Sequence, residues 1–286
     1  MEVRFASGEL ELVGHLAVPS GGRRSRPPGL VLCHGFPSIA GAGAAVMSTL
    51  PALADRLAAS HGWAAMAYAA RGCRPSAGEF SLGGWLADVT SAVAAFRAEV
   101  ELAGVWLAGF GRGGALAICA AAADPTIRGV IAFAPPADFD DWASQPRRLL
   151  EFARRASVVH DPNFPRNFDQ WSAELRSIRT VGCAEAMHPR PLMVIHGLAD
   201  VDVPVFDARV VADAHSSAEL RIIAGASTIC ASIPGRSRSC SAGSTASGTS
   251  TSRACPADPG LSRLCPCRRP VAPSSTPAPR PTSRAS

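Results

Sequence analysis

The chain is 286 residues long and 47% hydrophobic, with a mean hydropathy of +0.14, enough for one large α/β domain or for a domain plus a tail. No run of 18 or more uncharged apolar residues occurs, which excludes a membrane-spanning helix, and the start Met1-Glu2-Val3-Arg4 lacks the apolar stretch of a signal peptide. The net charge of +5 divides into −2 over residues 1–226 and +7 over residues 227–286, so the basic pI of 8.9 belongs to the C-terminal segment and no nucleic-acid-binding face is expected on the body.

All 28 basic residues are Arg, which points to a GC-rich gene. The cysteines of the body, Cys33, Cys73, Cys119 and Cys183, show no C-x-x-C spacing, as in a reduced cytoplasmic protein. Cys265 and Cys267 have no second pair or histidine to complete a metal site. No metal and no cofactor are expected.

In chain order, residues 2–6 and 10–18 read as an antiparallel strand pair. Gly29 to Cys33 is an apolar strand running into His34-Gly35-Phe36-Pro37. Residues 44–60 have helical spacing, and 63–70 form the next strand. Over 82–98, Leu82, Trp85, Leu86, Val89, Val93 and Phe96 share one helix face. Val105 to Ala108 is a strand, Gly109 to Gly114 a turn, and 113–123 a helix. Strands follow at 130–133 and 192–195. The insert between them, 137–189, has helices near 145–157 and 168–179. A helix over 205–215 and a strand over 219–223 close the pattern. Continuous apolar strands alternating with helices predict a mostly parallel sheet covered on both faces.

Three motifs stand in order: His34-Gly35-Phe36-Pro37, Gly109-Phe110-Gly111-Arg112-Gly113 and His196-Gly197-Leu198-Ala199-Asp200-Val201-Asp202-Val203-Pro204. Together they resemble the α/β-hydrolase family, esterases and dienelactone hydrolases included, over about residues 1–226. Arg71-Gly72 with Ser76 to Phe80 resembles the family's R-G-x-G-x-S-x-G stretch, blurred by Cys73 and Arg74. The resemblance implies an α/β-hydrolase fold with a small helical cap at 137–189, and hydrolysis of an ester or similar acyl bond through an acyl-enzyme. It places Gly111 at the nucleophile position of the G-x-S-x-G elbow, and the backbone N–H groups of Phe36 and Arg112 at the oxyanion hole. Asp200 is the acid that orients a histidine, with Asp202 the less favoured choice. His34, Gly35, His196 and Gly197 are loop-shaping residues, and Gly109 and Gly113 let strand and helix approach. The partner is a small-molecule substrate, apolar to judge by Trp142, Phe152, Phe164, Phe168 and Trp171 in the cap, residues that equally suit packing.

The pattern departs from the family twice. Residue 111 is Gly, so the elbow has no nucleophilic atom; Ser38 and Cys73 are the neighbouring candidates for a substitute. No histidine lies beyond His215, so the base that should follow the last strand is missing, and His215 itself is expected on a solvated helix surface. The chain therefore reads as impaired for serine hydrolysis, the alternative being a non-catalytic ligand-binding relative. Gly109-x-Gly111-x-x-Gly114 also matches a dinucleotide fingerprint. It lies mid-chain, however, and no acid ends the next strand.

Residues 227–286 hold 14 Ser, 9 Pro and no aromatic residue, a composition predicting a low-complexity, disordered basic tail. Joining each codon's third base to the first two of the next, with G or C third bases, changes this. From codon 227 the shifted reading gives Asp/His, Asp/His, Leu, Arg, Val/Leu, Asp/His, Pro, Gly/Arg. From codon 235 it gives Ala/Pro, Val/Leu, Ala/Pro, Val/Leu, Val/Leu, Leu. That is a histidine-bearing loop followed by an apolar run, and it predicts a frame shift near residue 226.

Overall fold

The computed structural model describes residues 1–20, 26–37, 43 and 47–226; Ser38 and the segment 227–286 lie outside the described residues. Eight strands form one sheet in the order β1-β2-β4-β3-β5-β6-β7-β8. β1 (Glu2–Ser7) pairs antiparallel with β2 (Leu10–Ala17), and β2 antiparallel with β4 (Ala64–Tyr68). From there β4, β3 (Pro28–Cys33), β5 (Gly104–Phe110), β6 (Ile127–Phe133), β7 (Leu192–Gly197) and β8 (Glu219–Ile223) run parallel. The mostly parallel sheet and the opening antiparallel pair follow the sequence reading.

The central strands are buried because they are apolar without a break: every residue of β4 is buried, and in β3 all but Pro28. α2 (Leu82–Glu99) packs one face with Leu82, Trp85, Val89, Ala92, Val93 and Phe96 fully enclosed. Each large side chain among them contributes roughly 1.5–3 kcal/mol by leaving water. Ser81 caps this helix, its hydroxyl accepting the Gly84 N–H. α3 (Arg112–Ala123) and α8 (Val205–His215) cover the same face over β5, β6, β7 and β8. α1 (Leu50–His61) covers the other over β2 and β4. It begins later than its spacing predicts because Pro51, lacking an N–H, fits the first turn. Gly62, at φ 69°, ends it.

The insert 137–189 is helical, as expected, but holds four helices where two were foreseen. α5 (Pro146–Arg155) and α6 (Phe168–Ser177) match the expected pair. α4 (Asp140–Ser144) and α7 (Thr180–Met187) are too short to show a period of their own. Trp142 and Trp171 are 5% and 4% exposed, so both serve packing. No helix among the described residues is long and apolar enough to cross a membrane.

Candidate active site

β5 delivers the central turn. Gly111 follows it at φ 53°, ψ −123°, in the region that only glycine enters freely. Its N–H donates to the Phe133 carbonyl at 2.7 Å, and its own carbonyl accepts from Gly114 and Ala115. The flanking glycines are dictated by contact. A Cβ on Gly109 would stand 2.4 Å from the Gly113 carbonyl oxygen, and one on Gly113 would stand 2.1 Å from that of His34. A Cβ on Gly114 would lie 2.9 Å from the Gly109 carbonyl oxygen. This helix–strand contact accounts for the glycine spacing that also resembled a dinucleotide fingerprint. At the start of α3 the first amide groups, Arg112 among them, have no intrahelical partner, and they open beside Gly111.

The loop after β3 is held against this turn, since Cys33 pairs with Gly109 in register. His34 is 7% exposed; its Nε2 accepts the Ala70 N–H at 3.0 Å, which leaves Nδ1 to donate to the Gly35 carbonyl at 2.8 Å. Burial pushes its pKa down to about 4, so the imidazole is neutral and serves the loop. The Phe36 ring meets Phe80, Trp85, Trp142 and Phe152 at centroid distances of 4.9–5.8 Å. The Arg112 guanidinium lies over the same Trp142, 4.8 Å from its centroid, and pairs with Asp141 at 3.1 Å. One side chain of α4 thus touches both residues whose N–H groups the resemblance assigns to the oxyanion hole.

The third motif follows β7. The Asp200 Oδ1 accepts the N–H groups of Asp202 (2.9 Å) and Val203 (3.0 Å), so Asp202 lends its backbone to the orientation of Asp200. His196 is fully buried and donates from Nε2 to the Val203 carbonyl at 2.9 Å, closing the same loop. Downstream, Leu198 and Ala199 donate to the carbonyls of Ile223 and Ala226, each at 3.0 Å. The chain therefore leaves β8 directly alongside the Asp200 loop. His215 corrects the sequence expectation. It is not solvated but 0% exposed, its Nε2 donating to the Arg190 carbonyl at 2.8 Å and its ring against His188. The helix turns it inward, and the carbonyl supplies the partner that burial demands.

Two further groups were not singled out by the sequence reading. Asp88 is 0% exposed and accepts the Arg71 backbone N–H, the Arg71 guanidinium through Nε and Nη2, and the Ser7 hydroxyl at 2.7 Å. The signal was present: Asp88 is an acid on the apolar face of the 82–98 helix. Glu79 accepts the backbone N–H groups of His160 and Asp161, clasping the cap to the core. Of the substitute nucleophiles, Cys73 is 0% exposed and burial pushes its thiol pKa up, and Ser38 lies outside the described residues.

Residues 30–237 match the model of the alpha/beta hydrolase family. Among solved structures, the chain is similar to the alpha/beta hydrolase GrgF from Penicillium sp. sh18, with a TM-score of 0.62 and 21% identity over 80% of this chain and 91% of that one. It is also similar to Est1E from Butyrivibrio proteoclasticus with ferulic acid bound (0.59, 19%, 80% and 91%). The esterase domain of a Rhodothermus marinus protein compares likewise (0.58, 18%, 80% and 89%). No curated protein matches it in sequence. The chain belongs to the α/β-hydrolase family.

Proposed function

We propose that this chain is an esterase-type acyl-hydrolase scaffold impaired as a serine hydrolase, because the elbow carries Gly111 where the nucleophilic hydroxyl belongs and no histidine follows the last strand. The observation that carries this reading is the turn itself. Gly111 stands at φ 53°, ψ −123° between glycines whose close contacts leave no room for a side chain. Around the position of the missing atom stand the amides opening α3, the Phe36 loop and Asp200 fixed by two backbone N–H groups, while no histidine follows the last strand. Such a site still binds a carbonyl in the donors and loses the covalent step. The half-buried rings of Phe36 and Phe152 favour an apolar acyl or aryl group on the ligand, which also suits the second reading, a non-catalytic small-molecule binder.

Incubating the full chain with a fluorophosphonate and an aryl acetate tests this. The expected result is no covalent adduct by intact mass and no ester turnover above background. A stoichiometric adduct with saturable hydrolysis would overturn it, showing that another residue acts as nucleophile.

A further inference from the structure

Four cysteines lie among the described residues, and they fall into two kinds. Cys33 and Cys73 are 1% and 0% exposed, and burial pushes both thiols up, that of Cys33 to about 12. Thiols buried and protonated in this way are inert. Cys119 and Cys183 differ, because α3 and α7 pack against each other and the Cys119 thiol donates to the Cys183 sulfur across that contact.

The sequence accounts for the encounter. Around Cys119, α3 is built from small residues: Ala115, Ala117, Ala120 and Ala121 are at most 3% exposed, and side chains of that size let a second helix come close. On α7, Thr180, Ala184 and Met187 form the buried stripe. Cys183, one turn after Thr180, borders the same face and is half-buried. Its neighbour Gly182 is exposed, with open space where a Cβ would stand, so small molecules can approach this end of α7. Cys119 precedes the cap insert 137–189 and Cys183 stands near its end. Their contact therefore closes the cap onto the helix that starts at the elbow.

The two thiols are unequal. Cys119 is 4% exposed, and the hydrogen bond that it donates, together with burial, keeps its proton in place. Accepting that bond draws the Cys183 thiol below its ordinary range, and low-pKa, accessible thiols beside a second cysteine are the ones that oxidise.

We propose that Cys119 and Cys183 form a peroxide-reactive modification site, in which Cys183 is oxidised first and Cys119 resolves it into a disulfide joining α3 to α7. The Cys183 thiolate attacks one oxygen of a hydroperoxide and the O–O bond breaks. Cys183 becomes a sulfenic acid, and the departing oxygen takes up the proton that the thiol released. The Cys119 sulfur then attacks the sulfenic sulfur. An S–S bond forms, the S–O bond breaks, and water leaves with the Cys119 proton. Two thiols are oxidised by two electrons while one hydroperoxide is reduced to water and an alcohol, or to two waters for hydrogen peroxide. The pair stands apart from the elbow and is independent of the chemistry at Gly111.

The full chain, reduced and then freed of reductant, is treated with hydrogen peroxide, alkylated with iodoacetamide in urea, digested with trypsin and read by mass spectrometry. Every basic residue is Arg and Arg190 precedes Pro191, so Cys119 falls on peptide 113–128 and Cys183 on peptide 180–209, each the only cysteine there. The expected product is these two peptides linked, two hydrogens lighter than their sum and separated again by dithiothreitol, with Cys33 and Cys73 recovered as alkylated thiols. Two variants read the order of attack. In Cys119→Ala, which suits an alanine-rich helix, a dione probe selective for sulfenic acid is expected to label Cys183. In Cys183→Ala it is expected to leave Cys119 unlabelled. Recovery of Cys119 and Cys183 as alkylated thiols after peroxide would overturn the proposal, as would a link from either to one of the five cysteines beyond residue 226. An unlabelled Cys183 in the first variant, or a labelled Cys119 in the second, would overturn it equally.

Discussion

At the centre of the sheet, β3 and β5 hold Gly111, the Phe36 loop and α3 in contacts so close that three glycines are required. Towards its far edge, the loop after β7 holds Asp200 by the backbone N–H groups of Asp202 and Val203, and beyond Ala226 the composition changes abruptly. On the proposed reading the two regions depart from the family pattern in different ways. The centre would lack one hydroxyl within an intact frame of contacts, and the edge would lack a histidine, none standing beyond His215. Glycine at position 111 fits a turn at positive φ without strain, so nothing in the fold betrays the loss. An apolar strand face that no helix among the described residues covers is visible, because its side chains stay partly exposed.

The sharpest way to break the comparison is to disturb the centre. Removing the fully buried Asp88 carboxylate should cost about 3 kcal/mol, since the half-buried Arg71 guanidinium loses its partner; Asp88→Ala is expected to lower the urea midpoint accordingly. Gly113→Ala should cost about 3 kcal/mol, because the new methyl meets the His34 carbonyl. The same denaturation would show it, and a neutral result would refute the close elbow. His34 supplies a pH term. Its folded pKa of about 4 lies below the ordinary value, so the unfolded chain binds more protons between pH 4 and 6.5. Stability present above pH 6.5 is lost as pH falls to 4, by about 3 kcal/mol, and His34→Gln should flatten that part of the pH–stability curve. The smallest effect concerns Arg112→Ala, which loses the Trp142 stack and the Asp141 pair and should cost about 1 kcal/mol by thermal melt.

The element order was legible because the strands are continuous apolar runs and the longer helices, α2 above all, carry a clear apolar face. The cap's short helices were not, since five or eight residues give too few turns for a period. Gly109 and Gly113 were legible as contact residues from the motif alone. Trp142 was visible as an aromatic of the cap, but its simultaneous contact with Phe36 and Arg112 depends on how α4 sits beside the loop after β3 and the start of α3. His215 was misplaced for a related reason. Whether a helix histidine faces water depends on the element packed beside it, here the Arg190 carbonyl. Asp88 carried a local signal, an acid on an apolar face, and its partner Arg71 stood in a motif already noticed.

The central claim is that one atom separates this elbow from a working one. Its most direct test compares Gly111 and Gly111→Ser in full chains that both carry the displaced-frame C-terminus, by stopped-flow hydrolysis of an aryl acetate. The account predicts a burst of phenol equal to the enzyme concentration with serine, none with glycine, and a rate difference of about 10³-fold or more. Equal turnover by the two chains would contradict it, placing the chemistry elsewhere than at residue 111.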